Sequence, residues 1–285
     1  MQSFTIIGPG LIGASLGMIL KKRKMAKIIY GYDTDKNNLQ EAVSLGAIDR
    51  VLDKIDSRRI VNSDVVFICT PVSKIKGILK KLDKVLQKKT IVTDVGSVKG
   101  LFLDEDMLKF KNLNIVPGHP IAGTELSGAK NAFSDLFKNK WCILTPINSS
   151  ENIKRVSNIW ETIGMKVSIM SPEEHDKIMS ITSHLPHLIA FTIVGTAFKL
   201  SKKEKSNLLN FSAGGFRDFT RIGSSDPKMW RDIFLSNKKH ITQTLAMFVN
   251  DLEHFASLIK NDNTSEIFKL IKRTKQVRKK IIQLS

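Results

Sequence analysis

The feature that most constrains the fold is a glycine pattern near the start of the chain, made of Gly8, Pro9, Gly10, Leu11, Ile12 and Gly13. It follows an apolar run at residues 3–7 and precedes apolar residues at helical spacing. Glycines at these spacings permit a tight turn, let the backbone approach a pyrophosphate and allow close packing of helix on strand, while the helix N-terminus holds the anion. The pattern therefore predicts a strand, turn and helix that bind a dinucleotide.

An acidic residue after the second strand pattern favours one form of that cofactor. Residues 27–32 form an apolar run that ends at Asp33, twenty positions after Gly13. A carboxylate there accepts hydrogen bonds from the adenosine ribose hydroxyls and repels a 2′-phosphate. We therefore expect NAD rather than NADP. The alternative role for Asp33, capping a helix, is less favoured because Asp35 can cap the next helix.

Further apolar runs at residues 64–69, 90–95 and 114–116 indicate buried parallel strands. The carboxyl ends of such strands face the ligand crevice, so residues directly after them are candidate site residues. Those expected along the cofactor are Thr70, Pro71 and Val72, and those expected at the reacting centre are Ser97 and His119. The alternatives are an N-cap for Ser97 and an ordinary hydrogen-bonded loop histidine for His119.

The strand patterns end near residue 170. Residues 140–144 and 166–170 indicate two late strands around a helix at residues 151–163. Ser171 then reads as the N-cap of a new helix, with Pro172 in its first position, and only helical patterns follow. The sequence thus predicts an α/β Rossmann-like domain with a mostly parallel, doubly wound sheet at residues 1–170. An all-α domain is expected at residues 171–285.

Two histidines in the predicted helical domain share one helix face. His184 and His187 lie three positions apart, and we expect Pro186 to bend the helix that carries them. No third ligand stands at a suitable spacing, so we expect no metal site.

Arg221 is the candidate for binding an anionic group. It follows a glycine-led segment that begins near Gly214. The planar fork of a guanidinium suits bidentate capture of a carboxylate. A structural salt bridge to Asp218 or Asp226 is an equally weighted alternative.

Charge and composition limit the possible partners. Lys and Arg number 45 against 27 Asp and Glu, which gives a net charge of +18 and keeps a nucleic-acid-binding module open as a distant alternative. The lysines are spread through every helix without interleaved aromatics, so we expect no nucleic-acid partner. Apolar stripes at residues 238–260 and 267–282 predict a homodimer interface.

The cysteines and the N-terminus predict a cytoplasmic protein. Cys69 and Cys142 lie in apolar runs and are expected to be reduced, buried thiols. No basic leader with a long apolar segment opens the chain, and no later apolar run approaches membrane-spanning length. We therefore expect no membrane partner.

Five motifs in order resemble the prephenate/arogenate dehydrogenase family of tyrosine biosynthesis; they lie at residues 8–13, 94–99, 118–125, 183–187 and 214–230. The resemblance implies a Rossmann domain joined to a helical dimerisation domain. It implies NAD-dependent oxidative decarboxylation of prephenate to 4-hydroxyphenylpyruvate. The alternative substrate is arogenate, in an arogenate or dual-specificity cyclohexadienyl dehydrogenase that produces tyrosine.

The same resemblance assigns roles to individual residues. His119 would take the proton of the ring hydroxyl, and Ser97 would orient that histidine. Arg221 would bind a substrate carboxylate, and His187 would line the site. Further positions matching the pocket of the family are His184, Thr124, Glu125, Asp218 and Trp230. A competing enzyme class, the related hydroxyacid dehydrogenases, relies on a helical lysine, for which Lys130 is only a poor match.

Overall fold

The computed structural model describes residues 1–55, 60–87, 89–107, 109–110, 112–147, 150–204 and 207–284. Its larger sheet has six parallel strands in the order β3-β2-β1-β4-β5-β6. They are β1 (Gln2–Ile7), β2 (Ala26–Tyr32), β3 (Arg50–Val51), β4 (Val65–Ile68), β5 (Ile91–Asp94) and β6 (Asn114–Ile115). The strand order reverses between β1 and β4, which is where a doubly wound sheet opens its ligand crevice. The predicted fold class is confirmed in this part of the chain.

Helices cover both faces of this sheet. They are α1 (Leu11–Lys22), α2 (Lys36–Ser44) and α3 (Val72–Leu82). The core on one face includes Phe4, Phe67 and Trp160, and the Phe67 ring meets the Trp160 ring edge-on at 5.8 Å. The central strand β4 is fully buried, which explains why its sequence is apolar at every position.

The late strands form a second sheet instead of extending the first. It contains β7 (Gly118–Pro120), β8 (Trp141–Leu144) and β9 (Lys166–Ile169), with α4 (Ser150–Thr162) between the last two. β7 pairs antiparallel with β8, and β8 pairs parallel with β9. Pro117 separates β6 from β7, because a proline has no N–H to donate to a strand ladder.

His119 is therefore in a different element from the one predicted. The sequence placed it in the loop after the strand at residues 114–116, whereas the structure places it inside β7, opposite Ile143. Its backbone is held in a sheet, so its side chain projects from a fixed strand and not from a free loop.

The rest of the described chain is helical. Its α-helices are α5 (Pro172–Met179), α6 (Leu185–Lys203), α7 (Gly214–Thr220), α8 (Pro227–Ser236), α9 (Lys238–Lys260) and α10 (Thr264–Leu284). The Ser171 hydroxyl accepts a hydrogen bond from the Glu174 N–H at 3.1 Å, which confirms the predicted N-cap. α5 and α6 are joined by a π-helical turn at Ser180–His184. Pro186 lies just after this turn, and its missing N–H accounts for a break in the regular hydrogen bonding there.

The chain divides into two compact units, Met1–Lys238 and Lys239–Ser285. The first contains both sheets and the helices through α8, which packs against α3. There the Ser73 hydroxyl donates a hydrogen bond of 2.5 Å to Asp232. The second unit contains α9 from Lys239 onwards and α10. The proposed domain boundary between residues 170 and 171 stays a prediction.

One helical stretch corrects the expectation that no apolar run approaches membrane-spanning length. Among the described residues, Pro172–Lys203 is long and apolar enough to cross a membrane by length and composition, although no run of that kind was expected. A core helix of a soluble protein passes the same test. This stretch also carries the fully buried polar residues His175 and His184, whose hydrogen bonds lie within the protein.

Candidate functional site

The glycine turn between β1 and α1 has the shape that a dinucleotide phosphate requires. Gly8 has φ +82°, and a Cβ there would lie 2.7 Å from Cγ2 of Thr70. A Cβ on Gly13 would lie 2.8 Å from the Gly8 carbonyl oxygen, so this glycine permits close packing of helix on strand. Gly10 has open space where its Cβ would be. The turn thus leaves room for a ligand at its middle glycine alone.

The Asp33 carboxylate lies just after β2 with one hydrogen bond to each oxygen. The Asp35 N–H donates to Oδ1 at 3.0 Å, and the Asn38 amide donates to Oδ2 at 2.7 Å. A carboxylate accepts about four hydrogen bonds, so both oxygens keep capacity for ribose hydroxyls. The N-cap of α2 is Asp35, whose side chain accepts from the N–H groups of Asn37 and Asn38, as the sequence predicted.

The turn after β4 lies against the glycine turn. Thr70 packs beside Gly8, and its Oγ1 is buried without a hydrogen-bond partner. Pro71 is exposed, and Val72 is buried as the first residue of α3. An unpaired buried hydroxyl is costly unless a ligand satisfies it. Thr70 together with the open space at Gly10 therefore fits a bound dinucleotide.

His119 is the first member of a buried chain of hydrogen bonds. Its Nδ1 lies 2.8 Å from Nε2 of His175, and Nδ1 of His175 lies 2.7 Å from Oδ1 of Asp176. The two imidazole rings meet edge-on with centroids 5.1 Å apart. Only 8% of His119 is exposed, and His175 is fully buried.

The Asp176 carboxylate determines which atoms donate and which accept along this series of hydrogen bonds. Its Oδ1 accepts the Lys99 N–H and its Oδ2 accepts the Gly100 N–H, both at 2.7 Å. A carboxylate that only accepts requires Nδ1 of His175 to be the donor, which leaves Nε2 of His175 unprotonated. His119 must then donate through Nδ1. In the neutral ring its Nε2 therefore carries a free lone pair, as a proton acceptor needs.

A buried ion pair holds the loop that carries Ser97. Lys99 Nζ lies 2.5 Å from Oδ2 of Asp94, and the two side chains are 0% and 2% exposed. Asp94 also accepts the N–H groups of Gly96, at 2.8 Å, and Gly118, at 3.2 Å. It therefore ties the Ser97 loop to the strand that begins just before His119.

Ser97 itself is half-buried in this loop. It does not cap a helix, because the next helical turn is a short 3-10 helix at Gly100–Leu103 whose N-cap residue is Lys99. The N-cap role considered for Ser97 is therefore not observed.

Burial keeps the histidines of the site neutral. Burial lowers the pKa of His119 well below its ordinary value, and the nearby Lys99 cation lowers it further. Burial also lowers the pKa of His175, which the hydrogen bond to Asp176 opposes. For His184, burial lowers the pKa to about 4. At neutral pH the Nε2 atom of His119 is therefore unprotonated, which is the form that can accept a proton.

His184 and His187 both contact Trp230, so they share one face as predicted. His187 stacks on the indole at 3.7 Å, and His184 meets it edge-on at 6.1 Å. Nδ1 of His187 donates to the Ser183 carbonyl at 2.9 Å. Nδ1 of His184 lies 3.1 Å from the Asn237 amide, which also donates to the Asp176 carbonyl at 2.7 Å. Through Trp230, His184 and Asn237, these contacts connect His187 with Asp176, the last member of the hydrogen-bonded series that begins at His119.

Arg221 follows α7 and forms an ion pair with Glu125. The distance from Nη1 to Oε2 is 2.7 Å, and the two side chains are 60% and 30% exposed. The salt bridges considered from sequence were to Asp218 and Asp226, and this pairing replaces them. Asp226 caps α8 instead, accepting the Met229 N–H at 2.7 Å. Burial lowers the pKa of His187, the hydrogen bond to the Ser183 carbonyl opposes this, and the charge of Arg221 lowers the pKa further.

Two other predicted pocket residues lie on the exposed side of the site. Thr124 is exposed, and its hydroxyl accepts the Leu126 N–H at 3.2 Å. Asp218 is exposed on α7. Both are near Glu125 and Arg221 in the sequence but are not part of the buried chain.

Comparison with known proteins identifies the family. Residues 16–169 match the model of the prephenate dehydrogenase nucleotide-binding domain, and residues 171–273 match that of the prephenate dehydrogenase dimerization domain. The chain belongs to the prephenate dehydrogenase family. The resemblance seen in the sequence is therefore confirmed. The prediction that the protein is an oxidoreductase is confirmed as well.

Individual relatives agree with this assignment. The chain is 33% identical to the cyclohexadienyl dehydrogenase of Zymomonas mobilis, over 97% of this chain and 95% of the relative. It is 33% identical to the prephenate dehydrogenase of Bacillus subtilis, over 97% and 75%. A crystal structure of prephenate dehydrogenase from A. aeolicus, with hydroxyphenyl propionate and NAD+, superposes with a TM-score of 0.92 and 39% identity, covering 99% and 98%.

Sequence reasoning missed the inner members of the site of this prephenate dehydrogenase family member. His175 and Asp176 lie in the first turns of α5 and looked like part of an ordinary capped helix. Their signal was weak: a histidine and an aspartate on the buried side of an amphipathic helix, where apolar residues are usual. Asn237 carried no signal beyond its polarity, and Lys99 was noted only as the last residue of the motif at residues 94–99.

Metal and thiol chemistry find no support among the described residues. They contain no group of three or more histidine, cysteine or acidic side chains that could hold a metal ion. Cys69 and Cys142 are free, and burial raises the pKa of both thiols. A surface cavity of about 630 Å³ borders Asp33 and is lined by none of the residues His119, His175 and Asp176.

Proposed function

We propose that this member of the prephenate dehydrogenase family catalyses the NAD-dependent oxidative decarboxylation of prephenate to 4-hydroxyphenylpyruvate. The observation that carries the proposal is the chain from His119 through His175 to Asp176. It sets the tautomer of His119 so that Nε2 is the proton acceptor.

The expectation of NAD as cofactor is confirmed by the family and by the NAD+ bound to the A. aeolicus relative. In this chain the glycine turn at residues 8–13 would hold the pyrophosphate, and Asp33 would hold the ribose. Thr70 would line the same site with its unpaired hydroxyl. NAD, when bound, supplies the acceptor for a hydride.

His119 would perform the proton transfer. The ring hydroxyl of the substrate gives its proton to Nε2 of His119, and the carbon bearing that oxygen loses a hydride. The bond from the ring to its carboxylate then breaks, and its electron pair completes the aromatic ring as carbon dioxide leaves. The oxygen regains a proton to give the phenol. A positioned base typically contributes about 100- to 10,000-fold in rate.

Asp176 would stabilise the protonated form of His119. When Nε2 gains a proton, the ring becomes a buried cation, which is costly unless negative charge is near. The Asp176 carboxylate lies one imidazole away and is held in place by two backbone N–H groups. Asp94 anchors the Ser97 loop to β7, the strand of His119, which supports a role for Ser97 in orienting that histidine.

Arg221 would bind a carboxylate of the substrate. A guanidinium has five N–H donors, and Nη1 carries the bond to Glu125, so further donors remain for an anion. Burial lowers the pKa of His187, so without substrate it is a neutral ring that stacks on Trp230.

A homodimer formed through the helical domain is part of the same proposal. The match to a dimerization domain supports it. So does the second unit, where α10 exposes Phe268, Ile271 and Ile281. Such apolar residues on one helix face favour burial against another chain. A cytoplasmic location is supported by the two free cysteines.

Turnover assays test the reaction. The purified protein is mixed with NAD and prephenate, with NAD and arogenate, and with each substrate and NADP, and NADH or NADPH is followed by absorbance. The proposal expects the largest kcat/KM for prephenate with NAD. A larger value for arogenate would replace the substrate, and no turnover of either would refute the reaction. Retention on DNA at physiological salt without turnover would favour the nucleic-acid alternative.

A further inference from the structure

Asn38, in the first turn of α2, makes hydrogen bonds to three separate parts of the site. Its Nδ2 donates to Oδ2 of Asp33 at 2.7 Å and to the Pro9 carbonyl at 3.3 Å. Its Oδ1 accepts the Ala129 N–H at 2.7 Å. Every polar atom of this amide is therefore used within the protein.

The bonds through Nδ2 organise the cofactor side. Pro9 lies inside the glycine turn, and Asp33 is the residue placed to bind the adenosine ribose. The Asp33 carboxylate is held at Oδ2 by Asn38 and at Oδ1 by the Asp35 N–H, so it cannot rotate freely and its remaining lone pairs keep a fixed direction. Binding to such a prepared group loses less conformational entropy than binding to a mobile side chain.

The bond through Oδ1 organises the loop between β7 and β8. Ala129 is 1% exposed and begins a 3-10 turn at Ala129–Asn131. The preceding residues of this loop include Glu125, the partner of Arg221. A second bond fixes the far side of the turn, where the Phe133 N–H donates to the Ser15 hydroxyl at 3.0 Å. Asn38 thus anchors one end of the segment that carries Glu125.

We infer that Asn38 is a positioning residue that couples the ribose site at Asp33 to the loop bearing Glu125. Through one amide it sets the affinity for NAD and the position of the loop beside the substrate carboxylate. The inference rests on the proposed function for the identity of the two ligands.

Two substitutions of Asn38 separate its effect on the ribose site at Asp33 from its effect on the loop bearing Glu125. Asn38→Asp keeps an oxygen for the Ala129 N–H but removes the N–H donor and places a second carboxylate beside Asp33. Asn38→Ala removes both. Asn37→Ala is the matched control, because Asn37 is an exposed neighbour on the same helix turn. The Kd for NAD is measured by calorimetry without substrate, and kcat and both KM values by NADH formation. Thermal unfolding checks that each variant folds.

For Asn38→Asp we expect the Kd for NAD to rise about tenfold or more, while the KM for prephenate changes by less than about twofold. For Asn38→Ala we expect both constants to rise, with kcat within about threefold of wild type. An unchanged Kd for NAD in either variant would overturn the inference, as would an unchanged KM for prephenate in Asn38→Ala. Should Asn38→Ala fail to fold, Asn38→Asp decides the cofactor half alone. Because the Kd needs no turnover, failure of the proposed reaction would be seen separately.

Discussion

His175 Nδ1 lies 2.7 Å from Oδ1 of Asp176, and this hydrogen bond determines which nitrogen of the neighbouring His119 ring carries a proton. Because the carboxylate only accepts, His175 must present its bare Nε2 to His119. The nitrogen of His119 that can act as a base is therefore determined by a residue on another element, fifty-six positions further along the chain.

Asp176→Asn should reduce kcat by about 100-fold or more. An asparagine amide can present N–H groups to His175, which would reverse the tautomers of both histidines and protonate Nε2 of His119. The measurement is the steady-state rate of NADH formation, with the Kd for NAD as a check on the cofactor site. Glu174→Gln, on the exposed side of the same helix, is the control. Equal rates for the two variants would contradict the role given to Asp176.

Between about pH 6.5 and neutral pH, kcat/KM should not change as the pH is lowered. Burial lowers the pKa of His119 well below its ordinary value. In the protein without bound ligands, His119 is therefore unprotonated at every pH above about 6.5. Activity is lost only as the pH falls through that lowered pKa. Initial rates between pH 4.5 and 8 at low substrate concentration measure this. A half-maximal point at or above about 6.5 would contradict it.

The stability of the protein should fall as the medium is acidified from pH 6.5. The pKa of His184 is lowered to about 4, so between these values the unfolded chain binds the proton and the folded chain does not. Unfolding is favoured there, by about 3 kcal/mol at pH 4. Urea unfolding of wild type and His184→Asn at pH 7 and pH 4 measures the difference. The variant should lose about 3 kcal/mol less, and parallel losses would show that His184 is not the cause.

Lys99→Met should destabilise the fold by about 3–5 kcal/mol, because it leaves the Asp94 carboxylate buried without its counter-charge. The two side chains are almost fully buried, so water cannot replace the lysine. Urea unfolding at pH 7 gives the free energy. The double variant Lys99→Met with Asp94→Asn should recover part of the loss. A loss below about 1 kcal/mol in the single variant would place the pair in contact with solvent.

Most of the larger sheet could be predicted from sequence because its signals are local, although the two-residue strand β3 (Arg50–Val51) was missed. The five strands predicted there, from residues 3–7 to residues 114–116, agree with the structure to within one or two residues, since each is a buried apolar run. The capping residues Asp35 and Ser171 are also local signals, and both act as expected. In each case the physical cause lies within a few residues of the feature.

The arrangement of the site could not be predicted in the same way. The hydrogen bond between His119 and His175 and the ion pair between Glu125 and Arg221 join residues far apart in the chain. No periodicity reports such contacts. The strand that holds His119 was missed because it has only three residues and begins directly after Pro117. Short strands are formed by their partner, here β8, more than by their own sequence.

The most direct test of the account is the rate of NADH formation by His119→Asn with prephenate and NAD. We predict that kcat falls about 100- to 10,000-fold while the Kd for NAD stays within about twofold of wild type. Lys130→Ala, which changes an exposed residue of the turn at Ala129–Asn131, should keep nearly the full rate. A His119→Asn variant with more than about a tenth of the wild-type kcat, or a Lys130→Ala variant without activity, would contradict the claim that His119 is the base.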